Sequence, residues 1–155
     1  MISLTPLARS EFDRVAQIAV VDHQQKFAGT VREAFETDED GIDFHGILRN
    51  DVAVGFFKID RAYATKYDFC RPGDIGLRAF IVDRDLQGRG IGTDAVTALR
   101  SYLPTCYPPA GAVVLTVNFV NPAAYRAYIK GGFTDTGHTY PHGDAGPQNV
   151  LRMLL

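Results

Sequence analysis

The chain has no tryptophan, only two cysteines and almost no net charge, and each shortage narrows what it can be. Cys70 and Cys106 stand far apart in 155 residues, so they build neither a disulfide framework nor a thiolate metal knuckle. Two isolated thiols suit a reducing compartment, and a cytoplasmic setting is expected. Sixteen basic against eighteen acidic residues leave a formal charge of −2. Nucleic-acid binding through bulk charge is thereby disfavoured, and only a local basic patch stays open. No apolar run approaches the ~18 residues of a membrane-spanning helix, so no membrane partner is expected. The opening residues, MISLTPLARSEF, lack a basic stretch followed by an apolar one, and no signal peptide is expected. His23, His45, His138 and His142 show no ligand spacing, so no metal is expected either. There is no internal repeat and no low-complexity tract.

What is present is an ordinary globular composition, 46% hydrophobic, long enough for one domain over residues 1–155 with a sizeable core. "ISLTPL" reads as a short strand. Ser10 is placed to cap a helix whose Phe12, Val15, Ala16, Ala19 and Val20 share one face, and "GTVREAFE" suggests a second short helix. After the acidic stretch "ETDEDGID", "FHGIL" and "VAVGFFKID" flank "RND" as a hairpin. "ATKYDFCRPGD" reads as a loop with a turn at Pro72-Gly73. "IGLRAFIV" is a strand, followed by Ile91, Ala95, Ala98, Leu99 and Tyr102 at helical spacing until Pro104 stops the run. "AVVLTV" is a buried strand. In "NPAAYRAYIKGGF", Asn121 can cap, Pro122 sits in the first turn and Gly131 ends the helix. "FTDTGHTY" and "NVLRMLL" close the chain as strands. This order predicts a mixed α/β or α+β fold with helices packed on a central sheet.

Between the strand ending at Val82 and the helix stand three glycines, Gly88, Gly90 and Gly92. A Walker loop would require a Gly-Lys-Ser/Thr ending, which is absent, and a Rossmann fingerprint from Gly88 would require glycine or alanine at Thr93. Two readings stay open: a glycine-rich turn with no ligand, or a strand–loop–helix junction whose bare amides and helix dipole bind phosphate. Arg84 and Arg89 add charge beside it.

Gln87-x-x-Gly90-x-Gly92 after an apolar strand resembles the acetyl-CoA pyrophosphate motif of the GNAT superfamily of N-acetyltransferases. Asn121, Ala124, Tyr128, Gly132 and Phe133 match a second stretch of that superfamily, N-x-x-A-x-x-x-Y-x-x-x-G-F, at the right separation. The resemblance implies a mostly antiparallel sheet of about six to seven strands with about four helices. It also implies a splay between the two central strands, where pantetheine lies. Acetyl-CoA is then the co-substrate, with no metal. Main-chain groups of Phe80, Ile81 and Val82 would bind the pantetheine arm, and Gln87, Gly88, Arg89, Gly90, Ile91, Gly92 and Thr93 the pyrophosphate. Asn121 would reach the cofactor, and Tyr128 would be the catalytic acid for the departing thiolate. The reaction implied is direct attack by a primary amine through a tetrahedral intermediate.

Some members of the superfamily place a glutamate on the strand before the glycine loop; here that strand carries Arg78 and no carboxylate. Asp74, His45 or Glu33 could serve as base through water, or the small neutral fraction of the amine could be captured without any base. Cys70 has no local support as a nucleophile. "HQQKFAG", "DRDLQGRGIG" and "GPQNVLRMLL" are similar to the diamine and polyamine acetyltransferase branch. The carboxylates Glu36, Asp38, Glu39, Asp40 and Asp43 could draw in such an amine, though charge runs usually face water. A diamine or polyamine is therefore the first expectation for the acceptor. Amino-acid-like, drug and protein amines are the alternatives, and a silent acyl-CoA-binding module is the rival of another class. The resemblance also allows a homodimer.

Overall fold

Phe56 and Phe57 are neighbours in the chain yet belong to different cores, because successive strand side chains leave on opposite faces. The sheet that separates them is seven-stranded in a computed structural model that describes residues 1–19 and 30–155. Its strands are β1 (Ile2–Leu7), β2 (Ile42–Arg49), β3 (Val52–Asp60), β4 (Ile75–Val82), β5 (Ala112–Asn118), β6 (Thr134–Tyr140) and β7 (Gln148–Leu154). They lie in the order β1-β2-β3-β4-β5-β7-β6, antiparallel except for β4 beside β5. The α-helices among the described residues are α1 (Val31–Glu36), α2 (Tyr63–Lys66), α3 (Ile91–Cys106) and α4 (Pro122–Lys130). The expected mixed α/β fold, with its strand number and its splay, is the one found.

On one face Phe57 packs with Ile47, Leu77, Leu115 and Leu151 beneath Leu99 and Leu103 of α3. Burying each such side chain is worth about 1.5–3 kcal/mol. On the other face Phe56 joins Leu7, Val15, Phe44 and Ile81 beneath Val31 and Ala34 of α1. The predicted hairpin turns on Asn50-Asp51, both with positive φ (51° and 66°), as a two-residue loop matching the strand twist demands.

Several expectations shift. The Ser10-capped helix is instead a 3-10 turn over Arg9–Arg14, where the Glu11 carboxylate accepts the Ala8 amide at 2.8 Å. The rest of that expected helix and "HQQKFAG" lie outside the described residues. α1 starts on Thr30, whose hydroxyl accepts the Glu33 amide. The loop expected after β3 contains α2, a single turn too short to leave a periodic signal. Pro104 does not stop α3, which runs on to Cys106 and closes with Tyr107 N–H donating to Leu103 O at 2.7 Å. One lost amide bond near a helix end is tolerated when Leu99 and Leu103 are fully buried. Gly131 caps α4 in the right-handed region, and the left-handed residue is Gly132. What Gly131 provides is room, since an added Cβ would overlap Val96 of α3.

The splay has a local cause. Between the pairs Phe56–Ile81 and Lys58–Arg78, β3 has one residue and β4 has two, so Ala79 and Phe80 bulge opposite Phe57. Ala79 sits at φ 53°, a left-handed conformation that is strained for alanine. The bulge bends β4 away from β5, and the two strands pair only at Ile75–Val113 and Gly76–Val114. Beyond that point a seam opens. Among the described residues no helix is long and apolar enough to cross a membrane.

Candidate active site at the parted strands

The glycine loop folds at the open end of the seam. After β4 a 3-10 turn over Arg84–Leu86 leads to Gln87, whose side-chain amide donates to Val82 O at 3.1 Å. Gly88 and Gly90 follow with φ of 79° and 77°, a conformation that glycine adopts freely and other residues resist. Among the described residues no side chain caps α3, and the amides of its first turn have no intrahelical partner by geometry. An added Cβ at Gly88 or Gly90 would meet nothing within 4 Å, so the backbone there is open to a ligand.

This junction forms one wall of a cleft of about 330 Å³. Phe80, Ile81 and Val82 of β4 line it, with Gln87, Gly88, Gly90, Ile91, Gly92 and Thr93 of the loop and first turn. Asn121 and Tyr128 complete it from α4, together with Ala123, Ala124 and Ala127. Arg89, expected in the same set, is exposed and does not line the cleft. Uncapped amides, the positive end of a 16-residue helix and an apolar slot suit a diphosphate with a slender arm.

A second cleft, of about 290 Å³, shares Phe80, Asn121, Ala124 and Tyr128 with the first and extends along the seam to Lys58, Arg78 and Asn118. Tyr128 therefore stands where the two meet. Its ring packs edge-on against Phe80 and Phe133, with centroids 5.9 and 5.7 Å away. Burial holds its phenol well above the usual tyrosine value, so the hydroxyl keeps its proton. Tyr125, three residues earlier, instead donates to Asp135 at 2.9 Å and lines neither cleft. Asn121 occupies the N-cap position of α4 but makes no side-chain capping bond, leaving its carboxamide to the clefts.

The candidate bases fall elsewhere. Asp74 is buried and engaged by Arg152 at 3.1 Å and by the Arg71 amide. Glu33 is exposed on α1. His45 is clamped between Tyr102 and Tyr107, at 2.6 and 2.7 Å. Because Tyr107 spends its proton on Asp43 at 2.8 Å, His45 Nε2 must be the donor to Tyr107, and Nδ1 then accepts from Tyr102. Burial brings the imidazole down from 6.5 to about 4, so it is neutral. None of the three lines either cleft. Burial pushes the Cys70 thiol up to about 11, which suits no nucleophile. Among the described residues no His, Cys, Asp and Glu cluster is placed to hold a metal.

Sequence reasoning missed Lys58, Asn118 and the role of the acidic stretch. Arg78 binds Glu39 at 2.8 Å and buried Asp60 at 3.3 Å, and Lys66 binds the same two carboxylates at 3.1 and 2.6 Å. Glu36 lies 3.6 Å from Arg32, and Asp43 takes Arg61 at 3.0 Å. Three of the five carboxylates are thus paired.

The sequence profile described as the acetyltransferase (GNAT) family matches residues 4–133. YbbJ of Bacillus subtilis (strain 168), an uncharacterized N-acetyltransferase, is 28% identical over 110 residues, 70% of this chain and 68% of that protein. The aminoglycoside acetyltransferase AAC(6')-Ib, solved with coenzyme A and kanamycin, superposes with a TM-score of 0.78 at 19% identity, covering 99% of this chain and 95% of that one. A spermidine N-acetyltransferase SpeG chimera from Vibrio cholerae and hSSAT superposes with a TM-score of 0.72 at 15% identity, again covering 99% and 95%. At such identities the structural likeness is one of fold.

Proposed function

The chain belongs to the acetyltransferase (GNAT) family and is an acetyl-CoA-dependent N-acetyltransferase; from that premise we propose that it acetylates the primary amine of a small molecule. In this reading the cleft at the glycine loop takes the cofactor, the cleft beside it takes the amine, and Tyr128 acts between them. The observation that carries it is that Tyr128, with Phe80 and Asn121, lines both clefts. Family membership sets the silent binding module aside.

The first-turn amides from Ile91 to Thr93 and the loop amides of Gly88 and Gly90 hold the diphosphate, and Gln87 braces the loop against Val82. Main-chain groups of Phe80, Ile81 and Val82 orient the arm along the unpaired edge of β4, and Asn121 closes on it from α4. Acetyl-CoA supplies an acyl group activated as a thioester. Tyr128 keeps its proton through burial, donates it to the departing sulfur as the C–S bond breaks and is reprotonated by the proton that the attacking nitrogen loses, its ring held between those of Phe80 and Phe133. Among the described residues no carboxylate lines the acceptor cleft, and in this reading the amine is taken in its neutral form from the solution equilibrium.

The diamine or polyamine expectation rested on the resemblance to that acetyltransferase branch and on a carboxylate field, and the second support weakens. With Glu36, Glu39 and Asp43 paired and Lys58 and Arg78 facing the acceptor cleft, an amine carrying fewer positive charges is the better reading. One domain over residues 1–155, a cytoplasmic setting and a homodimer complete the proposal. The test is release of coenzyme A, followed with a thiol reagent, across a panel of amines. Acceptor-dependent thiol is the expected result, and tight acetyl-CoA binding without any such thiol would reject the proposed small-amine acceptor.

A further inference from the structure

Lys58 lies on β3 opposite Arg78 of β4, points to the acceptor cleft, and is only 8% exposed. Among the described residues no hydrogen bond or ion pair reaches its ammonium, which opens onto the cleft. Its neighbours are occupied with one another: Arg78 and Lys66 each engage both Glu39 and Asp60, so two cations and two carboxylates close a balanced cluster. Among the described residues around this cleft, Lys58 is the positive charge left over. Burial and Arg78 pull its ammonium below the usual lysine value, while Glu39 and Asp60 resist.

A second unpaired group faces the same space. Asn118, at the end of β5 and 6% exposed, has a buried side-chain oxygen with no hydrogen-bond partner. Buried polar groups are nearly always satisfied, which makes the Asn118 oxygen the exception here. Here a cation and a carboxamide, unpartnered on opposite sides of one seam, adjoin the tyrosine at which the two clefts meet.

We propose that the acceptor is a small amine bearing a carboxylate, of the amino-acid class, with its carboxylate on Lys58 and its amine end against the Asn118 carboxamide beside Tyr128. This rests on the assignment of the neighbouring cleft to acetyl-CoA. One surplus positive charge matches the single negative charge of a carboxylate; a phosphate monoester, carrying about −1.5 to −2, would overbalance it. The volume of about 290 Å³ is at the small end for ligand sites, which suits an amino acid rather than an oligosaccharide.

The experiment compares, at saturating acetyl-CoA, α- and ω-amino acids with their carboxamides and decarboxylated amines, with putrescine, spermidine and phosphoethanolamine alongside. Expected is transfer to amino acids, with KM rising about 30-fold or more when the carboxylate is removed and kcat changing much less. Lys58→Met should erase that discrimination, and Lys58→Glu should favour the decarboxylated amines. Calorimetry with coenzyme A on each variant, expected to stay within about twofold of wild type, shows that the fold and cofactor cleft are intact. Failure of coenzyme A to bind the wild-type protein would sink the underlying reading instead. If no amine turns over, calorimetry of the coenzyme A-loaded protein with the same amino acids decides. Binding abolished by Lys58→Met supports the proposal, and binding of none of them overturns it. Preference for a carboxamide, diamine or phosphoethanolamine overturns it as well. So does a Lys58→Met loss confined to kcat and equal for all amines, the mark of a base.

Discussion

The two clefts share a wall of Phe80, Asn121 and Tyr128 but are built from different materials. The first is mostly backbone: glycine-loop amides, the uncapped start of α3 and the bent edge of β4. The second is mostly side chains, with Lys58, Tyr63, Arg78, Asn118 and Gln148 arriving from five segments of the chain. A backbone site needs only a loop of the right shape and tolerates wide sequence change around it. A side-chain site depends on each residue separately. The difference teaches where this enzyme is generic and where it is particular.

The sharpest test of the shared wall is Tyr128→Phe. A positioned acid contributes ~10²–10⁴-fold, so turnover should fall at least about 100-fold. Acetyl-CoA affinity, measured by calorimetry, should stay within about twofold. Equal losses in both would place Tyr128 in the first cleft alone.

Acidification should strain both clefts together. His45 stacks on Phe57, Phe57 on Phe80, and Phe80 meets Tyr128, so the wall is backed by a neutral imidazole. Between pH 6.5 and about 4 the unfolded chain takes up a proton that folded His45 refuses. The unfolded state binds more protons there, so stability is full above that window, falls by about 3 kcal/mol through it and levels off below. Denaturant titrations across this range should show the slope, and His45→Gln should flatten it at lower overall stability.

Replacing Gly88 and Gly90 by alanine attacks the backbone cleft alone. Each alanine is forced into a left-handed conformation at about 1 kcal/mol, and coenzyme A affinity should drop about 10-fold. The relative preference among amines should not change, because no acceptor residue moves. A changed preference would mean that the clefts are not separable.

The smallest effect is expected at the acidic stretch. Asp38 and Asp40 are exposed, and Asp38→Asn with Asp40→Asn should leave acceptor KM within about twofold even at low salt. A large, salt-sensitive rise for diamines would restore the electrostatic role that the sequence suggested.

The first cleft was legible because its parts are local. Gln87, Gly90 and Gly92 fall within six residues, and Asn121 and Tyr128 within one helix, so spacing alone could reveal them. The second was not, since Lys58 and Arg78 meet through β3–β4 register, which a bulge at Ala79 displaces by one residue. That bulge has no sequence signature: alanine is an unlikely residue for positive φ, and only the surrounding sheet holds it there. The same limit hid α2, a single turn fixed by packing, and the pairing of Glu39 with Arg78 from 39 positions away.

By itself the sequence determined the order of the strands and the longer helices and the place of the glycine loop, because periodicity and glycine placement act over neighbouring residues. The tertiary structure alone decided which charges are spent on one another and which of the described ones stand unpaired beside a cleft. Charges interact through space, and only the folded chain sets those distances.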